Sequence, residues 1–171
     1  MAFPYLRFRL LLAIFISGAF LLSTGMAAEL RVGAAEMVIN PEPGTPLAGY
    51  YSVRAGAGVQ DDLFAKALYF ESEGTRAAIV ICDLISMPRN VTDAARKAIE
   101  EETGIPGANV LLAATHTHTA PVLAREATRD DFDGASTSLG REYTERVPKL
   151  IAEAVAKAVA SSQAAKVRAV T

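Results

Sequence analysis

The spacing of apolar and polar positions changes several times along the chain, and each change predicts an element. Residues 31–38 read as a short strand. It runs into a turn-rich stretch over 40–58, where Pro41, Pro43, Pro46, Gly44, Gly49, Gly56 and Gly58 exclude a helix. Over 63–71 the period is two, with Phe64, Leu68 and Phe70 on one side and Leu63, Ala65, Ala67 and Tyr69 on the other. Apolar residues on both sides predict a strand covered on both faces. Glu73-Gly74-Thr75 makes a turn and residues 77–84 a second buried strand, which together predict a hairpin. Helical spacing follows in Ala94, Ala95, Ala98 and Ile99, with Asn90 as the expected N-cap, Asp93 three residues on, and Gly104 and Pro106 as the stop. Residues 109–115 form an apolar strand that leads into His116. After a polar stretch over 125–138, helical periodicity resumes over 140–161 through Val147, Leu150, Ile151, Ala154, Val155, Ala158 and Val159. Residues 166–171 are expected to open one more strand.

This succession predicts an α/β architecture, a mixed sheet flanked by helices. A last strand that only begins would leave backbone donors and acceptors without partners. Residues 28–171 are therefore expected to be the incomplete N-terminal segment of a larger catalytic domain.

Composition changes the picture at the front of the chain. Of the 171 residues 51% are hydrophobic, and the first 27 are conspicuously apolar. Arg7 and Arg9 form a basic region, residues 10–22 an apolar core broken only by Ser17 and Gly18, and Gly25-Met26-Ala27 offers small residues for cleavage. That pattern predicts a signal peptide over 1–27 and an exported, periplasmic or secreted, protein. The apolar core is short for a bilayer span, which needs about 20 residues. An uncleaved anchor is the other reading.

Charge and cysteine content narrow the classes further. Without Arg7 and Arg9, the 17 basic residues of the chain fall below its 19 acidic ones by a wider margin, and no basic surface recommends a nucleic acid. Cys82 is the single cysteine, so no disulfide forms within the chain. No amphipathic helix with a basic face marks a membrane surface, which leaves membrane association and oligomeric state open.

Both histidines fall in one tetrapeptide, Thr115-His116-Thr117-His118, at the carboxyl end of the strand over 109–115. On a continuing strand, residues i and i+2 face the same way, so both imidazoles would serve one metal, or a metal and its substrate. Ligand sites of open α/β sheets collect at this end of the strands. Two ordinary surface histidines in a loop are the alternative. Two imidazoles do not complete a catalytic zinc site, which takes three protein ligands and an open position. Asp83, at the end of the neighbouring strand, either orients a histidine through its second nitrogen or fixes the local turn. Asp61 and Asp62 are further possible ligands or a solvated loop end, and Tyr50 and Tyr51 line a cleft or pack over the sheet edge. Neither Gly56 to Gly58 nor Ser86 has the surroundings of a nucleotide loop or a nucleophile elbow.

These segments carry a resemblance. Arg31-Val32-Gly33, Leu47-Ala48-Gly49-Tyr50, Asp62-Leu63-Phe64-Ala65-Lys66-Ala67, Val80-Ile81-Cys82-Asp83-Leu84 and the run from Asn109 through Ala114-Thr115-His116-Thr117-His118-Thr119-Ala120-Pro121 resemble, in order and spacing, the N-terminal part of the neutral/alkaline non-lysosomal ceramidases. Thr119 and Ala120 stand where that family has serine and glycine. The resemblance implies a zinc-dependent amidohydrolase that cleaves the N-acyl bond of ceramide to sphingosine and a fatty acid. It implies zinc (Zn2+) as cofactor, His116 as a zinc ligand and His118 as a catalytic residue beside the substrate. The family's other zinc ligands, a histidine, a glutamate and a tyrosine, lie in later sequence, so the 171 residues are expected to be inactive alone. Two alternatives stand beside this reading: the same fold and metal acting on another amide or ester outside the cytoplasm, and a non-catalytic exported binding domain.

Overall fold

The computed structural model describes residues 29–125 and 133–168. The expected signal peptide over 1–27 and residue 28 lie outside the described residues, as do 126–132 and 169–171. Five strands form one sheet: β1 (Arg31–Val38), β2 (Phe64–Ser72), β3 (Thr75–Cys82), β4 (Val110–Ala114) and β5 (Gln163–Ala164). Their spatial order is β4-β3-β2-β1-β5. Only β3 and β4 run parallel; the other pairs are antiparallel, so the sheet is mixed as the spacing predicts. The turn between β2 and β3 has positive φ at both Glu73 (51°) and Gly74 (76°), the hand that suits twisted antiparallel strands.

Among the described residues two helices complete the α/β unit, α1 (Arg89–Thr103) between β3 and β4 and α2 (Ser138–Ala160) before β5. Helix α1 stops at Gly104, whose φ of 70° lets its N–H turn back to the Glu100 carbonyl. Helix α2 starts on Thr137, whose hydroxyl accepts from the Gly140 N–H at 3.2 Å. It crosses β1 so closely that a Cβ on Gly33 would lie 1.8 Å from the Ala158 carbonyl oxygen, and only glycine fits there. Val91, Ala95 and Ile99 of α1, Val147, Ile151 and Val155 of α2, and the inward Ala65, Ala67, Tyr69, Ala78, Val80 and Cys82 of the sheet form one core.

Four sequence expectations need correction. The sheet is covered on one face only among the described residues, because both helices pack in the same core layer. The opposite positions of β2, β3 and β4 are also apolar, yet Leu68, Ile81 and Leu111 are 42%, 45% and 54% exposed. Asn90 is not the cap of α1: the helix begins a residue earlier, after the extended Pro88, and no side chain caps it. Inside the first turn, Asn90 Nδ2 instead donates to the Ala124 carbonyl at 3.1 Å. Of the last strand, expected over 166–171, residues 166–168 form none and 169–171 lie outside the described residues, while a short β5 at Gln163–Ala164 pairs with Val32 and Arg31 directly after the helix. Finally, β4 ends at Ala114, so the histidines do not continue a strand.

Candidate functional site

Past Ala114 the backbone is built by hydrogen bonds to the end of β3. The Thr115 N–H bonds the Cys82 carbonyl at 3.0 Å and the Thr117 N–H bonds the Leu84 carbonyl at 3.1 Å. Between them His116 adopts φ 64°, a left-handed conformation that a branched or bulky residue adopts only when its surroundings hold it there. Thr119, at φ 68°, bends the chain a second time. The two bends replace the strand alternation and still bring both imidazoles to one side. Their ring centroids lie 5.3 Å apart with the planes at 77°. Thr117 and Thr119 face a separate groove of about 440 Å3 together with Glu42 and Asp61.

His116 is oriented by a main-chain group. Its Nδ1 lies 2.9 Å from the Ile85 carbonyl oxygen. A carbonyl only accepts, so Nδ1 carries the proton, and in the neutral ring Nε2 keeps a bare lone pair. That arrangement is typical of metal-binding histidines, whose second nitrogen is tied to a carbonyl or carboxylate.

His118 is placed by a glycine. The segment before β2 returns to the turn through mutual bonds, with the Ala48 N–H on the Ala120 carbonyl at 2.8 Å and the Thr119 N–H on the Ala48 carbonyl at 3.0 Å. Gly49 follows at φ 91°, and a Cβ on it would lie 2.2 Å from His118 Nδ1. Sequence reading treats Gly49 as turn punctuation; its second role, leaving room for the imidazole, comes from a contact between segments 69 positions apart and has no local signal. Downstream, Ala124 is held from two helices, its N–H donating to Thr144 Oγ1 at 2.8 Å and its carbonyl accepting from Asn90.

Both histidines line a cleft of about 380 Å3 with Tyr50, Tyr51, Ile85, Ser86 and Arg125 among its walls. Tyr50 and Tyr51 therefore line a cleft rather than pack on the sheet edge, and Arg125 and Ser86 join the site without having been singled out for it. The larger groove beside Thr117 holds neither imidazole, which makes the smaller cleft the candidate site.

The carboxylates singled out in the sequence do not join the histidines, whereas Asp133 lines the same cleft. Asp83 accepts from the Phe64 N–H at 3.0 Å through Oδ2 and from Thr115 Oγ1 at 3.4 Å through Oδ1. It fixes the start of β2 against the end of β3, a structural role different from the expected one in the following turn. Asp62 accepts from Asn40 Nδ2 at 2.7 Å, and Asp61 lies in the neighbouring groove. Among the described residues no group of three or more His, Cys, Asp or Glu is arranged to hold a metal. The fit to zinc is thus that of a partial donor set, two imidazoles with one Nε2 made available. Cys82, buried in the core, has its thiol pushed up to about 12 by desolvation, with the Asp83 charge adding to the effect, and behaves as an inert packing group.

The mixed sheet defines an α/β protein, and the convergent imidazoles outside the carboxyl ends of β3 and β4 mark its candidate ligand site. The fold is shared with neutral ceramidase from Pseudomonas aeruginosa, with a TM-score of 0.67 and 24% identity over 80% of this chain and 22% of that one. A ceramidase complexed with C2 gives a TM-score of 0.68 at the same identity and coverage. The chain thus spans 22% of the length of these solved structures. No family model and no curated protein matches it.

Proposed function

We propose that this chain contributes part of the active site of an exported, zinc-dependent amide hydrolase of the ceramidase type, acting on the N-acyl bond of a lipid amide. One observation carries the reading: both histidines of the chain converge on one cleft at a strand end, with His116 Nε2 left free by the Ile85 carbonyl. The shared fold with ceramidases supports the choice of chemistry. In this reading His116 holds the zinc, and a histidine, a glutamate and a tyrosine from sequence beyond the 171 residues complete its ligands. Zinc at such a site polarises an amide carbonyl and acidifies water.

The chain's own groups then have separate tasks. The Ile85 carbonyl fixes the ring of His116. His118, held against Gly49, faces the same cleft and donates a hydrogen bond or proton to the reacting amide. Tyr50, Tyr51 and Ile85 supply walls for an apolar chain, and Arg125 and Ser86 supply polar groups for a headgroup.

Zinc analysis and ceramide hydrolysis by the full-length gene product test the proposal. His116→Ala is expected to remove stoichiometric zinc and activity together. His118→Ala is expected to keep the zinc while lowering turnover by about 100-fold or more, the scale of a lost general acid or base. Unchanged turnover in metal-free enzyme would overturn the reading. Hydrolysis of short N-acyl amides with none of ceramide would keep the chemistry and replace the substrate.

A further inference from the structure

The segment joining β1 to β2 carries a pattern that the proposed chemistry does not use. Residues 43–60 contain one charged side chain, Arg54, and no acidic one, in a chain with 19 acidic residues. Its two arms are zipped together: the Leu47 N–H bonds the Arg54 carbonyl at 2.8 Å, the Gly44 N–H bonds the Gly56 carbonyl at 2.7 Å, and the Gly56 N–H bonds the Thr45 carbonyl at 3.0 Å. Ala48 is tied to the histidine turn, so the tip over 49–53 is preformed and stands directly beside the cleft. At this tip Tyr51 is 97% exposed and Val53 is 54% exposed. The Arg54 guanidinium lies 4.1 Å from the centre of the half-buried Tyr50 ring, which places the one cation of the segment beside the tip. At the segment's ends Glu42 pairs with Arg146 at 3.2 Å and Asp62 accepts from Asn40, while Asp61 lies in the neighbouring groove and Asp133 in the cleft.

An exposed tyrosine and valine on a tip whose own segment carries one arginine and no carboxylate match a lipid interface, with the Asp133 carboxylate set in the adjoining cleft. Tyrosine settles at the headgroup level, where its ring is buried and its hydroxyl stays wet. Arginine meets lipid phosphate, and the absence of acidic residues within 43–60 lowers repulsion from an anionic surface. We infer that this tip is a membrane-contact lip. Tyr51 and Val53 enter the headgroup region of a bilayer, Arg54 meets a phosphate, and the adjoining cleft is thereby opened to lipid arriving from the membrane surface. The last of these statements rests on the lipid-amide reading above; the contact itself does not.

The chain contains no tryptophan, which provides a selective probe. Tyr51→Trp puts a single reporter on the lip, and Leu68→Trp puts one on the open sheet face as control. With vesicles of phosphatidylglycerol and phosphatidylcholine carrying brominated acyl chains, the lip reporter is expected to shift to the blue and be quenched, while the control stays unquenched. Adding Arg54→Gln to the lip reporter is expected to weaken partitioning about fivefold, the scale of one basic residue near an anionic surface. An unquenched lip reporter on vesicles that sediment the chain overturns the proposal, because another part of the protein then makes the contact. Quenching of the Leu68→Trp control in its place overturns it too, by assigning contact to the sheet face. Neither reading needs zinc or turnover, so failure of the lip and failure of the hydrolase proposal are separate results.

Discussion

The two faces of the sheet are both largely apolar and have opposite surroundings among the described residues. On one, Ala65, Ala67, Tyr69, Val80 and Cys82 are sealed by α1 and α2. On the other, Leu68, Ile79, Ile81 and Leu111 lie side by side in the strand register with no helix over them, and the charged Glu36 and Lys66 sit directly opposite each other. Small residues dominate the covered face because a helix must approach it, to the point that Gly33 touches the backbone of α2. Larger aliphatic residues occupy the open one. Alternation along a strand therefore reports which side chains share a face, and it does not report whether that face is covered.

The difference can be measured, starting with the largest expected effect. Ile151→Ala, at a fully buried position of α2 over the covered face, is expected to cost about 2–5 kcal/mol in urea unfolding through lost burial and a residual cavity. If Leu68→Ala cost as much, the two faces would be energetically equivalent and the open one would be covered in solution.

Cys82 sharpens the contrast through pH. Its folded thiol titrates near 12, above its ordinary value of 9.0, so the unfolded chain loses the proton first as pH rises. Stability is fully present below about pH 9 and falls above it, by up to about 1.4 kcal/mol per pH unit. Buried Tyr143, whose hydroxyl donates to the Ile39 carbonyl at 2.6 Å, is shifted upward chiefly by desolvation and adds in the same direction at higher pH. Urea midpoints of Cys82→Ala at pH 8 and pH 10 are expected to differ less than those of the parent chain. An equal fall in both would remove Cys82 as the cause.

The smallest expected effect belongs to the open face. Leu68→Ser should change stability by no more than about 0.5 kcal/mol, as at other exposed positions, while lowering the binding of an apolar dye. A large loss of stability would show that Leu68 is packed against something.

Elements were legible in the sequence wherever their cause is local. The extent of β1, the hairpin at Glu73-Gly74 and the stop of α1 at Gly104 each follow from a few adjacent residues. The placement of both histidines at a strand end was legible too. The way they converge was not. It depends on the left-handed turn at His116, the Ile85 carbonyl and the space left by Gly49, which are contacts between distant segments. The same holds for Asn90, whose partner at Ala124 becomes its neighbour only after folding. Asp83 has the residue type of a ligand, and only its distances to Phe64 and Thr115 show that it serves the strands.

The latch between β1 and the end of α2 has a kinetic consequence. Arg31 donates to the Ser162 carbonyl at 2.6 Å across 131 positions of sequence, and the Ala165 N–H closes on the Leu30 carbonyl beside it. Closing so long a loop costs roughly 3 kcal/mol more chain entropy than closing the hairpin of β2 and β3, counting about 0.6 kcal/mol for each doubling of length. The hairpin is thus expected to form early and the β1–β5 edge to be the last seam to close. It is also the first to fray, so amide hydrogens there should exchange with solvent well before those of the sheet's centre.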